Sequence, residues 1–81
     1  EDPWEEYHYW QTQDKKTLKK INSLLRDIQR EPFKGEGKPE PLKDSLEGEW
    51  SRRINSKDRL VYIVSNENII IIQCKGHYGD K

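Results

Sequence analysis

The sequence predicts a single α+β domain in which two helices precede a small antiparallel sheet. Residues 1–32 carry apolar residues at helical spacing, and from Trp50 onward the apolar residues alternate with a period of two. Two N-cap signals mark the first half, and two polar turn clusters divide the second. A chain of 81 residues is the size of one domain, so the helices are expected to pack on one face of the sheet.

Two helices are expected in the N-terminal half. Asp2 precedes a proline and two glutamates, a pattern typical of a helix start, which predicts a first helix over about residues 3–13. Asp14 is a second N-cap, and the helical pattern after it runs to about Arg30 before Pro32 stops it. Core packing is expected for the aromatic stripe of the first helix, which consists of Trp4, Tyr7 and Trp10.

Three strands in meander order are expected in the C-terminal half, over residues 50–54, 59–65 and 69–75. The connection over residues 33–48 is rich in glycine and proline, and is expected to hold no regular element beyond a turn at 42–46. Simple alternation on the last strand would place Ile70, Ile72 and Cys74 on the apolar face. His77 would then emerge at the end of the other face.

Composition narrows the classes of function. The 15 basic and 15 acidic residues give a net charge of zero, so any attraction to nucleic acid must come from local clusters. One cysteine excludes an internal disulfide, and one cysteine with two histidines predicts neither a structural zinc site nor another cofactor. No apolar run reaches the roughly 20 residues of a membrane span, and a reducing cytoplasm is expected.

Two basic clusters stand out. The first lies on the predicted second helix, where it is either a solvated face or a contact for RNA or the ribosome; it consists of Lys15, Lys16, Lys19 and Lys20. The second follows the glycine- and proline-rich connection, and consists of Lys43, Arg52, Arg53 and Arg59. A hairpin that pairs Ile54 with Arg59 would put Arg52 on the face of Arg59, whereas a bulge would put Arg53 there.

Glu40 stands between Pro39 and Pro41, which restrict the backbone on both sides of it. A carboxylate on such a stiff, extended stretch can be aimed without a helix or long strand, although it can also be an exposed residue of a plain connection. With the arginines, His77 and Tyr78, it forms the set of residue types that cleave RNA. That reaction needs a base, an acid and cations on the phosphate, and no metal.

The motifs GKPEPLK, GEWSRRI and RLVY and a terminal HY resemble the YoeB/Txe branch of the RelE-like toxins of bacterial toxin–antitoxin modules. The segment from Trp4 to Phe33 is similar to that branch as well. The resemblance implies a microbial-ribonuclease-like fold and a ribosome-dependent endoribonuclease that cuts messenger RNA in the A site. Family members begin with a short strand that precedes the first helix, and this sequence starts at the helix.

The resemblance also implies residue roles. Glu40 would be the general base, His77 the general acid and Arg59 the cation on the scissile phosphate. The resemblance makes Lys43, Arg53 and Tyr78 substrate contacts. The simple hairpin that pairs Ile54 with Arg59 keeps Arg52 as an alternative to Arg53. The implied partners are messenger RNA on the ribosome, ribosomal RNA and a YefM/Axe-like antitoxin, and a homodimer is compatible with them. The competing hypothesis is a RelE-fold module that binds a partner through the same surface and cleaves nothing.

Overall fold

The computed structural model describes residues 2–76 and confirms the α+β prediction. Two helices are followed by four antiparallel strands, which form one sheet in the order β1-β2-β3-β4. The elements are α1 (Pro3–Gln13), α2 (Lys15–Arg30), β1 (Glu40–Pro41), β2 (Trp50–Arg53), β3 (Arg59–Ser65) and β4 (Asn68–Gln73). Strand β1 was not predicted, because two residues beside prolines give no period-two signal.

The helix ends lie where the capping residues predict them. The Asp2 carboxylate accepts a hydrogen bond from the Trp4 backbone N–H at 2.9 Å, and Asp14 accepts one from the Thr17 N–H at 3.1 Å. Asp14 also ends α1, because its own N–H bonds to the Trp10 carbonyl. One residue therefore separates the two helices and makes them a tight hairpin.

The core lies between the helix pair and one face of the sheet. It contains the buried side chains of Trp10, Ile21, Leu24, Ile28, Ile54, Leu60, Tyr62 and Cys74. The prediction for the aromatic stripe is wrong at Trp4, which is 70% exposed and stacks on the half-buried Tyr7 ring. A spacing of three winds slowly around a helix of 3.6 residues per turn, so Trp4 and Trp10 lie about 120° apart.

The sheet register corrects two predictions about strand faces. Arg53, not Ile54, pairs with Arg59, so Arg53 shares a face with Arg59 and Arg52 points toward the helices. On β4 the pairing jumps from Val61↔Gln73 to Tyr62↔Ile71, so one extra residue interrupts the alternation.

This irregularity decides which β4 residues reach the core. Ile69 and Ile71 pack against it, whereas Ile70 is 46% exposed, which is opposite to the predicted alternation. Cys74 is buried as predicted, because the extra residue in β4 places its side chain on the face that packs against the core.

Candidate active site

The sheet face opposite the helices gathers the candidate base and two arginines. Ladder partners project to the same face, and the register pairs Glu40 with Ser51 and Arg53 with Arg59. Glu40 is therefore a diagonal neighbour of Arg53, about 8 Å away between α-carbons. Arg59 lies one strand further, about 12 Å from Glu40 by strand geometry.

The backbone on either side of Glu40 is held in a defined path. After it, the Leu42 N–H bonds to the Glu49 carbonyl at 2.9 Å and closes the hairpin to β2. Before it, Lys38 has a φ of 53°, a left-handed conformation that residues other than glycine rarely adopt. The expected extended run into Glu40 is therefore a bend at Lys38. The Glu40 carboxylate is exposed and forms no hydrogen bond or ion pair within residues 2–76.

Arg53 and Arg59 place two positive charges side by side. The Arg53 side chain is exposed, and neither guanidinium has a salt bridge among the described residues. The Arg59 Nη1 donates to the carbonyls of Asn55 and Asp58, at 3.2 and 3.4 Å, in the turn between β2 and β3. Like charges directly opposite each other destabilise a sheet unless an anion compensates them.

The segment that precedes His77 is fixed to the start of β3. The Gly76 N–H donates to the Asp58 carboxylate at 2.7 Å, and the Gly76 carbonyl accepts from the Arg59 N–H and from Gln73 Nε2, both at 2.9 Å. Gly76 has a φ of 84°, which favours glycine. The candidate residues His77 and Tyr78 lie outside the described residues.

Asp58 and Gln73 were not predicted from the sequence. In the sequence Asp58 is an ordinary residue of the turn before the second predicted strand. Only the structure shows that its carboxylate accepts a hydrogen bond from the Gly76 N–H, just after β4.

A substrate-binding role for Arg52 is wrong. Its side chain is fully buried between the sheet and α2, where it pairs with Asp27 at 2.6 Å and has no surface to offer RNA. Burial alone would lower the pKa of the Arg52 guanidinium, but hydrogen bonds to Tyr62 and Asp27 raise it above its ordinary value. Arg52 therefore remains charged and structural.

The other predicted contacts are separate from this face or at its margin. Lys43 is exposed in the connection between β1 and β2, shortly after Glu40. On α2, Lys15, Lys16 and Lys19 are exposed. Lys20 is partly buried and forms a 3.0 Å salt bridge with Glu36. We call Lys15, Lys16, Lys19 and Lys20 the lysine group.

Two further features bear on possible chemistry. Within residues 2–76 no three side chains of the His, Cys, Asp and Glu types come together as a metal-binding group, and neither helix is long and apolar enough to cross a membrane. Burial, with smaller contributions from the Glu6 and Asp58 charges, raises the pKa of the Cys74 thiol to about 12. Cys74 is thus a protonated core thiol at neutral pH and not a nucleophile.

Comparison with known proteins shows one family over nearly the whole chain. Residues 1–78 match the family model described as YoeB-like toxin of bacterial type II toxin–antitoxin system. The chain is 53% identical over 78 residues to Toxin YoeB of Escherichia coli K12, which covers 96% of this chain and 93% of that protein. It is 55% identical over 75 residues to Toxin YoeB of Synechocystis, and the match covers 93% of this chain and 87% of that protein.

Solved structures agree with the sequence relatives. The YoeB dimer from Staphylococcus aureus superposes with a TM-score of 0.88 at 51% identity, over 95% of this chain and 90% of that chain. A YoeB–YefM complex from the same organism gives a TM-score of 0.86 at 51% identity, over 94% and 88%.

Proposed function

Because the chain belongs to the family of YoeB-like toxins of bacterial type II toxin–antitoxin systems, we propose that it is an endoribonuclease that cleaves messenger RNA in the ribosomal A site. Cleavage there would stop translation in the bacterial cytoplasm. The observation that supports the proposal most is the arrangement on the sheet face opposite the helices: Glu40, which has no partner among residues 2–76, is a diagonal neighbour of Arg53, and Arg53 is paired with Arg59.

The proposed reaction uses the RNA's own 2′-hydroxyl as nucleophile. Glu40 removes the 2′-OH proton, the 2′-oxygen attacks the adjacent phosphorus, and the bond from phosphorus to the 5′-oxygen breaks. His77 gives a proton to that departing oxygen. The products are a 2′,3′-cyclic phosphate on the upstream fragment and a 5′-hydroxyl on the downstream fragment.

The cations act where negative charge accumulates on the phosphate. Arg53 and Arg59, opposed on β2 and β3, are suited to hold two non-bridging oxygens of the same group. Lys43 and Tyr78 are proposed as further contacts to the substrate. A carboxylate, a histidine and arginines suffice for this chemistry, so no metal ion or other cofactor is part of the mechanism.

The ribosome requirement follows from weak binding of free RNA. A net charge of zero and a handful of cations on the site release few counterions, which gives modest affinity at physiological salt. Aligning the 2′-OH with the phosphate is worth roughly 7–11 kcal/mol when fully supplied, and a ribosome already holds the message in a fixed path. The lysine group is proposed to contact ribosomal RNA.

A protein inhibitor is the second proposed partner. A relative forms a YoeB–YefM complex and another structure is a YoeB dimer, so an antitoxin and a second copy of the chain are both proposed as partners here. An acidic, partly disordered antitoxin segment would mask Arg53 and Arg59 by folding over the exposed face.

Incubation of the chain with ribosomes stalled on a defined message tests the proposal. Primer extension is expected to show new RNA ends at the A site, and purified antitoxin is expected to abolish them. Binding of the chain to ribosomes without any new end would instead favour the non-catalytic binding module. Replacing Lys15, Lys16 and Lys19 with Gln should weaken ribosome binding while leaving antitoxin affinity unchanged.

A further inference from the structure

A single buried guanidinium holds the loop that leads to the proposed base. Arg52 uses all five of its N–H groups, and each acceptor lies 2.6–3.1 Å from it. Two acceptors are side chains, those of Asp27 and Tyr62. The other three are backbone carbonyls of one loop, and they belong to Glu31, Lys34 and Glu36. We call residues 31–37 the clamp loop.

The two side chains that accept hydrogen bonds from Arg52 also form hydrogen bonds to the clamp loop themselves. The Asp27 carboxylate that pairs with Arg52 also accepts the Glu36 N–H at 2.9 Å. The Tyr62 hydroxyl donates to the Pro32 carbonyl at 2.6 Å. This network leaves little freedom in a segment that has no regular secondary structure of its own.

The clamp loop ends where the approach to Glu40 begins. The Arg53 N–H donates to the Gly37 carbonyl at 2.6 Å, which fixes the end of the loop against the residue beside Arg52. A β-carbon on Gly37 would come within 3.1 Å of the Arg52 Cβ and the Arg53 carbonyl, so the loop packs directly on β2 there. Only Lys38 and Pro39 separate this anchored point from Glu40.

Strand β1 is too short to fix Glu40 without the clamp loop. It has two residues, and Pro41 has no N–H to contribute to the ladder. A two-residue edge strand beside a proline is held weakly by its own pairing, so the position of Glu40 depends on where the preceding chain is anchored as well as on the Leu42–Glu49 hydrogen bond that follows it. The buried guanidinium sets that anchor.

We infer that Arg52 is a positioning residue for Glu40: through the clamp loop it sets the distance of the Glu40 carboxylate from Arg53 and Arg59. The inference rests on the proposed function. A buried ion pair is seldom the most stable choice for a core position, and here all three backbone acceptors belong to the loop that leads to the base. That arrangement fits a role in defining one loop conformation.

The test compares Arg52→Lys and Asp27→Asn with Ile21→Val, a core substitution that lowers the melting temperature without touching the clamp loop. The kcat and KM for cleavage of ribosome-bound message are measured at a temperature where every variant is folded by circular dichroism. Both network variants are expected to lose about 10- to 100-fold in kcat with KM changed less than about twofold, because misplacement by about 1 Å costs this much. Ile21→Val is expected to keep its kcat.

Amide hydrogen exchange supplies a readout that does not depend on catalysis. In Arg52→Lys and Asp27→Asn the amides of Glu36 and Gly37 are expected to exchange at least about tenfold faster, while those of α1 stay protected. Unchanged exchange in the clamp loop, or a kcat no lower than that of Ile21→Val, would overturn the inference while leaving the proposed function intact. Absence of cleavage by the unsubstituted chain would overturn the proposed function itself.

A substrate contact and a positioning residue also differ in salt dependence. Arg53→Gln is expected to reduce the slope of log affinity for RNA against log salt by about 0.7, the value for one lost contact to single-stranded phosphate. Asp27→Asn and Arg52→Lys are expected to leave that slope unchanged. A reduced slope in Arg52→Lys would show that Arg52 touches the RNA and would contradict its role as a buried clamp.

Discussion

Arg53 and Arg59 face each other directly across β2 and β3, on the side of the sheet that the helices leave uncovered. Two guanidinium groups in this position repel each other in the free protein, and no salt bridge within residues 2–76 offsets that repulsion. An anion placed between them would remove the cost. The pair therefore favours an anion bound between the two guanidinium groups.

Removing one of these charges is predicted to lower the cleavage rate without lowering the free energy of unfolding. Arg53→Gln should leave the free energy of unfolding unchanged or raise it by up to about 1 kcal/mol, since an unfavourable cross-strand pair is lost. Cleavage of ribosome-bound message should fall by about 10²-fold, since one donor to the phosphate is lost. Urea unfolding and single-turnover cleavage measure the two effects. Lys57→Gln, in the exposed turn, is the control, and equal losses of activity in both variants would argue against a phosphate contact at Arg53.

Glu40 is predicted to be needed for chemistry and not for folding. Its carboxylate is exposed and has no partner among the described residues, so Glu40→Gln leaves no cavity and no unpaired group. The cleavage rate should fall by about 10²- to 10⁴-fold, the usual contribution of a general base, with an unchanged circular dichroism spectrum. Glu47→Gln is a matched control in the neighbouring loop. Retention of full activity by Glu40→Gln would exclude the base assignment, and His77→Ala tests the acid in the same assay.

The acid stability of the fold is predicted to depend on Asp27. Its pKa is lowered to about 2, first by the Glu36 backbone N–H and then by Arg52. The folded state thus binds fewer protons there than the unfolded state does, so this stabilisation is complete above about pH 5 and is lost as the pH falls toward 2. The difference in melting temperature between the unsubstituted chain and Asp27→Asn should be constant above pH 5 and shrink below pH 4.

The matched control for the acid dependence is Asp44→Asn, an exposed carboxyl outside the Arg52 network. A difference between the unsubstituted chain and Asp27→Asn that is the same at pH 2.5 as at pH 7 would show that the Asp27 charge contributes nothing to the fold.

Two glycine substitutions are predicted to differ although both put alanine at a positive φ. Gly35 has a φ of 116°, and a β-carbon there would overlap the Asp27 carboxylate. Gly48 has a φ of 75°, and a β-carbon there would meet no atom within 4 Å. Gly48→Ala should cost only the backbone strain, about 1–2 kcal/mol. Gly35→Ala should cost more and also reduce kcat, since it displaces the partner of Arg52. Equal effects on stability and kcat would contradict the role of the clamp loop.

Local patterns in the sequence were enough for the helices and for the order of β2, β3 and β4, but not for β1. The Asp2 and Asp14 caps and the stop at Pro32 place both helix boundaries, because capping and proline effects act within a few residues. The meander order follows from short polar turns between alternating segments. The YoeB-like motifs marked Glu40, Arg53 and Arg59 as candidate site residues, and the family match confirms the resemblance.

The side of the sheet to which each strand residue projects could not be predicted from the sequence, because it depends on how neighbouring strands pair. A shift of one residue in the β2–β3 register exchanges Arg52 with Arg53, and one extra residue in β4 reverses Ile70 and Ile71. The buried network of Arg52 was missed for the same reason. Its partners come from α2, the clamp loop and β3, up to 25 residues away in the chain.

The most direct test of the account is cleavage of one defined message, free and bound in the ribosomal A site, by the same preparation, with a further free-RNA reaction in EDTA. The rate on the ribosome should exceed the rate on free RNA by orders of magnitude, and the upstream product should carry a 2′,3′-cyclic phosphate detectable by mass spectrometry. Equal rates on the two substrates would contradict the ribosome requirement. A linear 3′-hydroxyl end, or loss of cleavage in EDTA on free RNA, would contradict attack by the 2′-hydroxyl with Glu40, Arg53 and Arg59 as the groups that promote it.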